Sequence, residues 1–253
     1  MRPAARAPAP ERAAAPSPGW DDGLLTVGGN SFGSPRLRRL QCVAMTRLHL
    51  FDMDGTLIHD SAAAIELSKQ IGVESEIVEL ERAFADGLLS TGEFARRAQA
   101  LWGELTEAHV AAAFDGAPWL DGIRETWADI RARGEHCAVI SISPSFFVER
   151  LVPWGAHAAH GSPWPAVPFA EPVDPALIHT PDSKVRIADE LCAAFGVTRA
   201  DCVAYGDSSS DVALFGAVPV SVAVNADHHV GDLATRAYSG RDLREAHALA
   251  CDS

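Results

Sequence analysis

The chain has 253 residues, 47% of them hydrophobic and 22% charged, with a formal net charge of −13. This is globular usage on a length that suits one large domain or a core with a modest insertion. The acidic balance argues against a general affinity for nucleic acid or an anionic membrane surface, and no apolar run approaches the ~18 residues of a membrane span.

Residues 1–44 are rich in Ala, Pro, Gly and Arg and show no sustained period. They read as a disordered extension, or as sequence upstream of a start at Met45. From Met45 onward, short apolar runs alternate with amphipathic stretches, the rhythm of an α/β domain. Strands are predicted at Leu48 to Phe51, Cys137 to Ile142, Cys202 to Tyr205 and Val220 to Val224, and their composition suits a buried parallel sheet. Helices are predicted over 121–134 and 182–196, each closing on a glycine. Residues 61–116 break the alternation with four successive helical patterns, which predicts an inserted helical domain. Within it, Ser90 and Glu93 have the spacing of a helix start.

The first strand runs directly into "DMDGT", placing Asp52 and Asp54 just past its carboxyl end, where open α/β sheets bind ligands. Two carboxylates so close repel unless a cation lies between them or one keeps its proton. Oxygen-only ligands select a hard divalent ion such as Mg2+, which commonly accompanies a substrate phosphate. Two further predicted strands end similarly: "AVISISPSF" delivers Ser141 and Ser143, and "VAYGDSSSD" delivers Asp207 with Asp211 four residues on. The chain has 19 arginines and two lysines, Lys69 and Lys184. A retained lysine points to a site that needs a compact ammonium, which a planar guanidinium does not reproduce.

In this order and spacing, "DMDGT", the strand ending in Ser141, Lys184 and "GDSSSD" resemble the haloacid dehalogenase superfamily. "VISISPSF" and "VAVNAD" look most like its phosphoserine-phosphatase-like branch, subfamily IB. The resemblance implies an α/β fold, a Rossmann-like parallel-sheet core (45–60 and 117–253) with a small helical cap of the C1 type at 61–116. It implies a phosphatase that hydrolyses a small-molecule phosphomonoester through an aspartyl-phosphate. Asp52 would be the nucleophile, Asp54 the general acid and base, and Lys184 the cation that holds the transferring phosphoryl and offsets its charge. Asp52, Asp207, Asp211 and the Asp54 carbonyl would serve Mg2+. Thr56, Ser141, Ile142, Ser210 and a cap arginine, Arg96 or more specifically Arg97, would meet the substrate.

Departures from the branch point away from phosphoserine. Ser61 stands where a glutamate is expected, and Ile142, Ser143 and Ser210 replace a Gly-Gly pair and an Asn. A phosphotransferase or phosphomutase of the same fold is an alternative. A receiver-like phospho-aspartate signalling domain is a second, though it lacks a cap and has no need of Asp54. The histidines show neither metal-ligand spacing nor an obvious partner and read as surface or packing residues, and the tryptophans as core or cap-joint filling. Five scattered cysteines without CxxC spacing suit a reducing cytoplasm. A monomer or homodimer without nucleic-acid or membrane partners completes the expectation.

Overall fold

The computed structural model describes residues 46–251; the expected N-terminal extension lies outside them. Among the described residues six strands form one sheet in the order β3-β2-β1-β4-β5-β6, every adjacent pair parallel. They are β1 (Leu48–Phe51), β2 (His136–Pro144), β3 (Ala158–Ser162), β4 (Cys202–Gly206), β5 (Val220–Val224) and β6 (Arg236–Tyr238). The chain order reverses at β1, which pairs with β2 on one side and β4 on the other, so the crevice of such a sheet opens at its centre.

Side-chain alternation explains how the sheet is buried on both faces. Leu48 and Leu50, with Ala138, Ile140 and Ala204, meet Ile187 and Leu191 of α7 (Pro181–Phe195) and Phe215 of α8 (Val212–Phe215). Phe51, Val139, Tyr205 and Val222 face the other way. There they join Trp127 of α5 (Ile123–Ala132) and Leu243 of α10 (Leu243–Cys251). The predicted helix ends hold, since Gly134 and Gly196 both have positive φ just past α5 and α7. No helix among the described residues is long and apolar enough to cross a membrane.

Between β1 and α5 stand α1 (Ala63–Lys69), α2 (Glu74–Ala85), α3 (Thr91–Leu101) and α4 (Glu107–Gly116). Ser90 caps α3 by accepting from the Glu93 amide at 3.2 Å, while the Glu93 carboxylate pairs with Arg96 and Arg97. Trp102 is fully buried and donates its indole N–H to Ser68 Oγ at 2.8 Å, tying α3 to α1. The two linkers of the insert bridge antiparallel at Ile58 and Trp119. The core reaches back through loop 163–180, where Gln99 of α3 donates to the Glu171 carbonyl at 2.9 Å and accepts from the Val173 amide at 2.8 Å.

Candidate active site

The strand-end acids converge. β1 continues its pairing into Asp52, whose amide donates to the Tyr205 carbonyl at 2.9 Å, so the Asp52 carboxyl is delivered at the carboxyl end of the central strand. Lys184, from the first turn of α7, lies 2.8 Å from Asp52 Oδ1 and 2.7 Å from Asp211 Oδ1, and donates to Ser210 Oγ at 3.0 Å. Its side chain is 2% exposed. Burial works against the ammonium, but Asp211 and Asp52 outweigh it and hold the Lys184 pKa above the ordinary lysine range. Burial drives the Asp52 carboxyl well above the usual carboxylate range; Lys184 opposes this, while Asp211, Asp207 and Asp54 add to it.

Asp54 is fastened on both oxygens: Oδ1 accepts from the Ala63 amide at 2.6 Å and Oδ2 from Ser141 Oγ at 3.0 Å. One carboxylate thus links the insert to β2. Ser141 Oγ in turn accepts from the Ser143 amide at 3.0 Å. Asp207 follows β4 and is held by Thr56 Oγ1, which donates to its Oδ1 at 3.0 Å. Burial and the neighbouring Asp211 push the Asp207 carboxyl up to about 7, against the pull of the Thr56 hydrogen bond and Lys184. Gly55, at φ 75°, packs directly on the Asp207 carboxylate, and any Cβ there would collide with it. Asp211 is 1% exposed, and its Oδ2 accepts from the amides of Asp207 and Ser208. That carboxylate therefore holds Lys184 with one oxygen and the turn after β4 with the other.

Asp52, Asp207 and Asp211 each offer an oxygen within 4.8 Å of the others, a group able to hold a metal ion. The donor set is all oxygen, and mutual repulsion with burial raises Asp52 and Asp207 in the way that a bound cation would relieve. The residues present fit a hard divalent ion.

A cavity of about 510 Å3 opens over these groups, with Asp52, Asp54, Lys184, Asp207, Ile142 and Ser210 on its floor and α1, α2, α3 and Trp164 on its walls. Thr56 and Ser141 do not line it; they act beneath it on Asp207 and Asp54. Arg97 is not brought in: it sits on the exposed side of α3, paired with Glu93 at 2.9 Å, and Arg96 shares that partner. Ser61 lines the cavity and donates to Glu66, which is also paired with Lys69.

Glu81 of α2 was not singled out in the sequence, yet it lines the cavity half-buried, with no hydrogen bond or ion pair among the described residues. Burial, with the charge of Asp54 adding, pushes its carboxyl up to about 7. The signal was its spacing, four residues after the buried Ile77 and three before the wall residue Phe84, which puts an acid on the inward face of an amphipathic helix.

The haloacid dehalogenase-like hydrolase family model matches residues 49–216, well over half the chain. The phosphoserine phosphatase of Methanocaldococcus jannaschii is 25% identical over 79% of this chain and 95% of its own length. That of Halobacterium salinarum is 28% identical over 69% and 84%. Among solved structures, a substrate-bound phosphoserine phosphatase complex is similar at a TM-score of 0.69 and 23% identity, covering 81% of this chain and 98% of that one. A phosphoserine phosphatase with a phospho-aspartyl intermediate analogue gives the same values. With its parallel sheet, its helical cap and four acids gathered at the strand ends, the chain belongs to the haloacid dehalogenase-like hydrolases.

Proposed function

We propose that this enzyme is a Mg2+-dependent phosphomonoester hydrolase acting on a small-molecule phosphate through an aspartyl-phosphate at Asp52. The observation that supports this most is the contact of Asp52 with buried Lys184, with Asp54 two residues on and anchored by Ser141 and the Ala63 amide. A fold neighbour carrying a phospho-aspartyl intermediate analogue adds to it.

An Asp52 oxygen attacks phosphorus while the bond to the leaving oxygen breaks, and the Asp54 carboxyl gives that oxygen its proton. Asp54 then takes a proton from water, whose oxygen attacks phosphorus. The bond to Asp52 breaks, and phosphate leaves with the carboxylate restored. Lys184 fixes the orientation of Asp52 and sets positive charge beside the transferring group. Ser141 orients Asp54, Thr56 orients Asp207, and Asp211 keeps Lys184 and the turn after β4 in register. Mg2+ held by Asp52, Asp207 and the Asp54 carbonyl would offset charge on the phosphoryl oxygens as a Lewis acid. Among the described residues four free thiols, Cys137, Cys192, Cys202 and Cys251, suit a cytoplasmic setting.

Purified protein should release phosphate from small phosphomonoesters with Mg2+, lose that activity in excess chelator and regain it on adding the ion back. Turnover indifferent to chelation would overturn the metal assignment, and no turnover on any ester would overturn the hydrolase reading.

A further inference from the structure

The half of the cavity away from the acids has a chemistry of its own. Its walls are apolar and aromatic, with Ile65, Phe84, Phe94, Trp102 and Trp164 facing a single unpartnered carboxyl, Glu81. Among the described residues the only cationic side chain lining the cavity is Lys184, which is committed to Asp52 and Asp211. The nearby cap arginines, Arg96 and Arg97, are tied to Glu93 on the outer side of α3.

A substrate bearing a second acid would therefore find no counter-charge and would meet Glu81 as a like charge. A half-buried carboxyl without a partner is costly to keep ionised, and a cation offsets that cost. Aromatic faces also attract alkylammonium groups.

Resting on the reading of this site as a phosphomonoester hydrolase, we propose that the cap half selects esters whose leaving group is a short alkyl chain ending in an ammonium and carrying no carboxylate, with Glu81 the partner of that cation. Phosphate would sit on the floor beside Asp52 and Lys184, and the ammonium would reach across the cavity to α2. This assigns to Glu81 a specificity role distinct from Ser61, whose hydroxyl is taken by Glu66.

The test compares phosphocholine and phosphoethanolamine with n-propyl phosphate, matched in length without the charge, and with phosphoserine, which adds a carboxylate. Both aminoalkyl esters should exceed the other two in kcat/KM by about tenfold or more. Glu81→Gln should bring the ratio of phosphocholine to propyl phosphate close to one, and Glu81→Lys should turn preference toward phosphoserine. Equal kcat/KM for charged and neutral esters in the native protein, or a preference that survives Glu81→Gln, would overturn the proposal.

Binding separates this from the hydrolase reading. In Asp52→Asn protein with Mg2+, phosphocholine should quench tryptophan fluorescence at about tenfold lower concentration than propyl phosphate, a difference that Glu81→Gln should erase. That result with no turnover of any ester by the native protein would overturn the hydrolase reading and retain the cation site. Equal binding of the two esters would overturn the cation site whatever the activity.

Discussion

Asp52 and Asp54 are two residues apart but differ in every contact, and the difference sets the experiment that separates them. Asp52 faces Lys184, whereas Asp54 is bound by a hydroxyl and a backbone amide. Asp52→Asn removes the proposed nucleophile, so phosphate release should fall to background on every ester. Asp54→Asn leaves the nucleophile, so its loss should approach the 10²- to 10⁴-fold typical of general acid catalysis on alkyl esters. The loss should be much smaller on p-nitrophenyl phosphate, whose leaving group needs little protonation. Steady-state rates on the two ester classes check this, and equal losses would reject the division of roles. At this scale the sequence displayed the acids and Lys184, because charged residues at the ends of apolar runs have few structural reasons to be there. It hid what depends on direction: Thr56 and Ser141 work beneath the cavity, Arg97 turns outward and Glu81 turns inward, and helical spacing alone did not single that one out.

The strands legible in the sequence are those built mostly of apolar, largely buried residues, β1, β2, β4 and β5. β3 reads "AAHGS" and is only half-buried along most of its length, while β6 is an edge strand with two exposed residues of three, so neither carries a strong pattern. Loop 163–180 has no periodicity at all, yet it supplies Trp164 and Ile178 to the cavity and is held to α3 by one amide side chain. Gln99→Ala would free the Glu171 carbonyl and Val173 amide. As the bonds lie near the surface, global stability should fall by about 1 kcal/mol or less. The loop should nevertheless open more often, seen as faster hydrogen exchange at 171–173 with little change in the strands. Unchanged exchange there would show that apolar contacts of Val173 and Ile178 with Ala95 suffice to hold it.

The molecule as a whole keeps a second polar cluster on the face of the sheet covered by α5 and α10. His49 meets Tyr205 at 3.1 Å and Glu135 at 3.2 Å, Tyr205 meets His247 at 2.9 Å, and Arg133 reaches His247. Burial, helped by the nearby His49 and Arg133, lowers the His247 pKa to about 4. The unfolded chain, with an ordinary histidine near 6.5, therefore binds more protons between those values. Stability should fall as pH drops from about 6.5 toward 4, by up to about 3 kcal/mol from this group. Urea unfolding at stepped pH should show that slope, flattened in His247→Gln; equal slopes would clear His247 as its source. Distributing charge this way, with nearly all cationic side chains as guanidinium, has a further outcome for covalent labelling. Of the two lysines, Lys69 keeps 39% of its side chain exposed on α1, and Lys184 keeps 2% beneath the acids. An acylating reagent therefore finds one lysine on the folded protein. The second reacts only when β1, α7 and the turn after β4 separate, so the fraction of chains acylated at Lys184, located by peptide mass, is a clock for opening of the catalytic floor.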